Sequence, residues 1–225
     1  MGKTLRIAFA LRNTYQINAI LYALRQIPLV KRLLPARLYG ARWPRILAAV
    51  LSLIWELAGI FLWKALYLGW MVGAAAGWLP GDPAANFLHI LLFLAVIGAF
   101  FYTYLLDPTR DKYYAMLLLR MDARQYTLVQ YGYATAKQLL GLFPTAWFAA
   151  RGCGVPAGLC LLIPLYIVGA KAVVAAWSLW DFERKGYPYN ENRLKTWTAV
   201  GALFLLALAY GLPALGILVP LPLIG

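Results

Sequence analysis

The stretch ILAAVLSLIWELAGIFLWKALYLGWMVGAAAGW, residues 46–78, carries two charged side chains, Glu56 and Lys64, in an otherwise apolar and small-residue run. Wound as a helix at 1.5 Å per residue, it would reach ~50 Å, well beyond a ~30 Å hydrocarbon core. A span over residues 46–66, followed by an apolar extension at the outer surface, accounts for that length. A hairpin would leave too few residues in each leg to cross. The whole chain shares this character: of 225 residues, 63% are hydrophobic and only 13% charged, where soluble domains carry about a quarter charged. Lipid is the solvent that such a sequence fits, and helices are the form that satisfies its backbone there. The expected fold is all-α: a polytopic helical membrane bundle of about five transmembrane helices, with a sixth admissible. It forms a single membrane domain over 1–225, with residues 3–45 interfacial and 46–225 transmembrane.

Working outward from 46–78, Leu79-Pro-Gly-Asp-Pro reads as a turn and residues 86–106 as the second span. Further spans are expected over 125–150, with a kink at Pro144, over 156–179 and over 197–210. A small outer turn lies at 152–155, and Gly211-Leu212-Pro213 interrupts the last span. Residues 214–225 are too few to recross as a helix. They suit a re-entrant element, or a truncated form of a longer protein.

Charge sets the orientation. Lys3, Arg6, Arg12, Arg25, Lys31, Arg32, Arg37, Arg42 and Arg45 all precede the first acid, Glu56, so the N-terminus is expected on the cytoplasmic side. Leu5, Phe9, Ile17, Ile20, Leu21 and Leu24 give residues 3–35 an apolar face too often broken by cations to span, as in an interfacial helix ended by Pro28 and Pro35. Residues 181–195 add further cytoplasmic charge, whereas the outer loops offer only Arg151. Trp43, Trp177, Trp180 and Trp197 fall at inner interfaces and Trp78 and Trp147 near outer ones. The net charge of +13 is therefore cytoplasmic loop charge facing anionic membrane lipids, and no nucleic-acid partner is expected. No cleavable signal sequence is legible.

Within the spans, ionisable residues are the candidates for function. Glu56 lies about ten residues in from the Trp43–Arg45 interface, and Trp63 and Trp70 share its stripe at i+7 and i+14, so it is expected to face protein. It is either a cavity or coupling group or one end of an interhelical hydrogen bond. Lys64 stands ~12 Å along the axis and can snorkel outward. Lys137 and Lys171 are the better partners for Glu56 and complete a candidate translocation path, although Lys137 alternatively marks a cytoplasmic helix end. His89 reads as a hydrogen-bonded interfacial residue, and no metal site is expected. Cys153 and Cys160 read as two buried thiols. No phosphate-binding glycine loop, HExxH or GxSxG is present, so no enzyme activity and no cofactor are expected in this chain.

Residues 107–124 are the candidate docking segment. Tyr114, Leu117, Leu118 and Met121 follow helical spacing, and Asp122 with Gln125 three residues on resembles a capping box. Tyr113, Tyr114, Leu117, Arg120, Met121, Asp122 and Arg124 would present an aromatic, apolar and charged face to a soluble partner. The alternative is an ordinary amphipathic loop lying on lipid.

The order of these parts resembles the permease subunits of bacterial ABC-2-type exporters: a basic amphipathic N-terminal helix, a first span, a short helix between spans two and three, a long third helix and a re-entrant outer element. Tyr113–Gln130, YYAMLLLRMDARQYTLVQ, carries the resemblance furthest. The family has six spans, and here the sixth is missing. The resemblance implies an exporter of the bacterial cytoplasmic membrane. A separate cytoplasmic ATP-binding subunit would dock on 107–124, ATP-Mg would bind only that partner, and a second permease copy or homologue would complete the assembly. A non-transporting scaffold or assembly protein, and a lipid-modifying membrane enzyme, are the alternatives.

Overall fold

A computed structural model describes residues 2–26, 42–101, 110–186 and 195–219. Every regular element among them is helical. Helix α1 is Gly2–Gln26. Helix α2 starts as Arg42–Ala65, continues as a π-helical stretch Leu66–Ala74 and closes with one α-turn, Ala75–Trp78. Helix α3 is Pro83–Phe101, and α4 is one α-turn, Arg110–Tyr113, running into a π-turn, Tyr114–Leu118. Helices α5, α6 and α7 are Ala123–Gly152, Ala157–Lys185 and Lys195–Ala214.

Three of these segments are long and apolar enough to cross a membrane: Ile46–Trp78 in α2, Pro83–Phe101 in α3, and α6. Helix α7 contributes a shorter apolar run, Thr198–Ala214. Helix α5 is as long as α6, but Arg124, Gln125, Gln130, Lys137 and Gln138 make its first half polar. The outward faces carry large apolar side chains, with Trp55, Leu62, Trp63, Phe148, Val173 and Leu203 among the most exposed of them. Large side chains arranged this way are at home in hydrocarbon.

The chain divides into two units, residues 1–60 with 108–134, and 61–107 with 135–225. In the second unit α3 packs against α6 and α7 and against the end of α2. Phe87, Ile90, Leu91 and Leu94 of α3 are buried with Leu68 and Val72 of α2, Leu142 and Ala146 of α5, Ile163 and Ile167 of α6 and Ala209 of α7. Small residues recur where helices approach, as association between helices in lipid requires. In the first unit Ala8 of α1, Ala115 of α4 and Tyr126 of α5 form a smaller buried core, flanked by Met116, Met121 and Val129.

Local chemistry explains the helix ends. Asp82 caps α3 by accepting from the Ala84 and Ala85 amides at 3.4 and 3.1 Å, and Pro83 occupies the first turn, where a missing N–H costs nothing. The fully buried Asn86 amide donates to the carbonyls of Ala76, Leu79 and Pro80 at 3.3, 3.5 and 3.1 Å. It thereby closes the otherwise open C-terminal end of α2. Helix α6 ends at Gly186 in the left-handed region (φ 76°). Helix α7 ends in a Schellman motif: Ile217 donates to Leu212 at 2.9 Å, Gly216 to Pro213 at 3.0 Å, and Gly216 adopts φ 74°.

Several sequence expectations are corrected. The helix that carries the first span does not stop at residue 66: it continues, π-wound over Leu66–Ala74, to Trp78, so the apolar extension is helical as well. Trp63 and Trp70 do not share the surroundings of the half-buried Glu56. Both are exposed, Trp70 edge-on to Trp78 at 5.7 Å, and lipid accommodates such rings better than a packed core does. The break expected at Gly211-Leu212-Pro213 falls later, after Ala214. Pro213 lies inside α7 and is buried, and the helix ends one residue after it. The polar segment expected over 181–195 is helical to Lys185, where Asp181 and Lys185 pair at 2.7 Å across one turn. The second span is helical to Phe101, and residues 102–106 of that expectation lie outside the described residues, as do Pro28, Pro35 and 220–225. Helix α5 runs unbroken through Pro144.

Replacing Asn86 with Ala takes the donor from the buried Ala76 carbonyl and from the partly exposed Leu79 and Pro80 carbonyls. It is expected to lower stability by about 1–3 kcal/mol, read as a drop in the thermal unfolding midpoint of the purified protein in detergent. Pro80→Ala, which leaves the Asn86 amide in place, is the control expected to change little.

Candidate functional site

The segment before α5 is wound more tightly into the fold than an amphipathic loop. After the π-turn, Leu119 donates to the Tyr114 carbonyl at 3.0 Å and Met121 to that of Ala115 at 2.9 Å. Arg120 between them adopts φ 48°, a left-handed conformation uncommon for any residue but glycine. Asp122 then caps α5 as its spacing predicts, its carboxylate accepting from the Gln125 amide at 2.7 Å. Ala115 is fully buried against the core that holds α1 to α5.

This geometry sorts the candidate docking residues. Tyr114 and Met121 turn inward and are half-buried. Tyr113, Leu117, Arg120 and Arg124 are exposed, and Leu119, absent from the sequence candidates, joins them. The α-helical spacing placed Leu117 on one face with Tyr114. The π-turn adds a residue to the turn and rotates Leu117 outward. Asp122 is engaged by its own helix.

Glu56 accepts a hydrogen bond from the Tyr133 hydroxyl of α5 at 2.8 Å. Tyr133 was no sequence candidate. Its signal was its place one turn before Lys137 on the same face of α5, with both facing out of an otherwise small-residue run. Lys137 lies at the middle of α5, so it marks no helix end. Lys171 lies at the middle of α6 and Lys64 near that of Ile46–Trp78; all three are half-buried. Lys64 is within electrostatic reach of both Lys137 and Lys171.

His89 is hydrogen-bonded as expected and fully buried, with one ring nitrogen 3.2 Å from the Leu208 carbonyl and the other accepting from the Val219 amide at 3.1 Å. An amide donor at Nδ1 requires the proton on Nε2, so the ring is a neutral bridge from α3 to α7 and to the segment beyond it. Phe93 packs on it at 5.1 Å. No cluster of metal-ligating side chains exists among the described residues. Both cysteines are free thiols. Cys153 donates to the Gly73 carbonyl at 3.6 Å, and burial pushes its thiol up from the ordinary value.

No protein-family model, curated protein or solved structure matches the chain.

Tyr133→Phe removes one donor from Glu56 and is expected to cost about 1–3 kcal/mol, seen as a lower unfolding midpoint. Glu56→Gln, which still offers a carbonyl to that hydroxyl, should cost less. Because the thiolate is the reactive form, a raised pKa leaves Cys153 mostly protonated at neutral pH. N-ethylmaleimide should therefore label it slowly near pH 7, with a rate that keeps rising above pH 9.

Proposed function

We propose that this chain is the membrane-spanning permease subunit of an ATP-driven exporter of the ABC-2 type, with its ATPase on a separate cytoplasmic chain. The observation that carries the reading is the fixed connection between the exposed segment 110–124 and the long helix it feeds. Tyr113, Leu117, Leu119, Arg120 and Arg124 offer a mixed apolar and cationic surface. Behind it, Ala115, the two wide-turn hydrogen bonds and the Asp122 cap leave no slack before α5 begins. A load applied to this surface is passed to α5 as a rigid lever.

In this reading α5 and α7 are spans as well, which gives five, and α5's polar half lines protein in place of lipid. The basic N-terminus faces the cytoplasm of a bacterium, a second permease copy or homologue completes the translocation path, and ATP-Mg binds only the partner subunit.

Affinity purification from native membranes in mild detergent is expected to recover an ATPase of the Walker type with the chain. The double reversal Arg120→Glu, Arg124→Glu should cut that recovery at least about tenfold, since like charges across an interface cost several kcal/mol, while leaving the unfolding midpoint unchanged. Recovery of no ATPase, or equal recovery with the reversed surface, would sink the reading.

A further inference from the structure

Residues 215–219 follow the last turn of α7 and return to α3 at Val219. The Schellman bonds belong to α7 itself, since Ile217 donates to Leu212 and Gly216 to Pro213. Leu218 and Val219 lie beyond that cap and are half-buried. The one hydrogen bond that they make among the described residues runs from the Val219 amide to His89 Nδ1, at 3.1 Å. The opposite ring nitrogen, Nε2, lies 3.2 Å from the Leu208 carbonyl of α7. A single ring on α3 thus holds α7 by one edge and the chain beyond α7 by the other.

The two bonds differ in what a second proton does to them. A neutral imidazole has one N–H and one lone pair, and the Val219 amide occupies the lone pair of Nδ1. A proton can add only there. It turns the acceptor into a donor and sets two N–H groups against each other, whereas Nε2–H goes on donating to Leu208 as a charge-assisted bond. The Val219 bond is only part-buried, which gives a proton access to Nδ1. Apart from these two bonds the ring touches Phe93, and no charged or titratable side chain interacts with it among the described residues. Asp82 stands about two turns earlier, at the cap of α3. The elements packed against α3 carry Lys64 and Tyr67 on α2, Lys137 and Arg151 on α5, and Tyr210 and Lys195 on α7. Helix α6 adds Cys160, Tyr166, Lys171 and its charged end Asp181–Lys185, and none of these groups bonds to the ring. With no carboxylate against His89, the bond to Val219 is the contact that protonation changes.

We propose that His89 is a proton-operated latch for the segment after α7: the neutral ring holds Val219 against α3, and the imidazolium lets it go while keeping α7 in place. The hinge falls at Leu218, directly after the last residue that the Schellman motif ties down. In the orientation proposed above, the start of α3 lies on the outer side, so the latch reads acidity outside the cell. It depends only on the packing of α3 with α7 and stands whether or not an ATPase docks.

The test is hydrogen–deuterium exchange of the full chain in a neutral maltoside detergent, from about pH 8 to about pH 5, the range over which histidines change charge. Exchange is read at Val219 by fragmentation of its peptide in the mass spectrometer, and each rate is divided by that of the unstructured peptide at the same pH. Val219 is expected to lose protection at least about tenfold in acid, while peptides from α3 and α7 keep theirs. His89→Gln offers Val219 a carbonyl and Leu208 an amide N–H but takes up no proton, so Val219 should stay protected across the range. If His89→Gln does not fold, His89→Phe is read instead: it lacks the acceptor, and Val219 should be unprotected at every pH. Undiminished wild-type protection in acid, a loss shared by α3 and α7, or the wild-type acid response in whichever variant folds overturns the proposal.

Discussion

A peptide group stripped of water and left without a partner costs several kcal/mol in hydrocarbon, and α3 is where this chain meets that requirement for its neighbours as well as for itself. Its first turns carry two polar side chains that would be misplaced on any other buried helix. Asn86 answers the carbonyls at the end of α2, and His89 ties the Leu208 carbonyl to the Val219 amide. Both side chains are fully buried, which shields their ends of these bonds from solvent. The apolar remainder of α3 can then serve purely as packing surface for α2, α5, α6 and α7.

The same logic runs through the smaller core near the N-terminus, with different means. There the crowded element is the short α4, and the problem is to finish a wide turn and begin a new helix within four residues. Ala115 permits close approach, Arg120 adopts the left-handed conformation, and Asp122 supplies the acceptor for α5. Holding a non-glycine residue left-handed costs energy, so the surrounding bonds fix Arg120 in place and with it the direction of its side chain.

Much of this was legible in the sequence, for physical reasons that separate it from what was not. Long apolar runs announce themselves by composition, so the stretch at 46–78 and the helices α3 and α6 could be read directly. So could the Asp122 cap, which depends on two residues at fixed spacing. What escaped was every feature that depends on phase or on a distant partner. Leu117 and the exposed Trp70 were misassigned because helical counting assumes 3.6 residues per turn, and the π winding they lie in alters the count; Trp63 precedes the π stretch, and its exposure has no such explanation. Tyr133 and the burial of His89 escaped because each is set by a residue far along the chain: Glu56, Leu208 or Val219. Pro213 was taken for a stop because it usually is one, and the helix does end one residue later, at Ala214.

The π stretch Leu66–Ala74 gives α2 a property that its apolar composition hides. Each π turn takes up more residues than an α turn, and one additional residue swings all later side chains by ~100° about the axis. The stretch works like a gear set within a shaft. Before it, Glu56 is aimed at Tyr133. Within it, the carbonyls of Met71 and Gly73 accept from Tyr210 and Cys153. Rewinding those nine residues to α pitch would leave the first pairing in register and pull both later ones out of it together. A single helix thus carries two halves that answer to different neighbours.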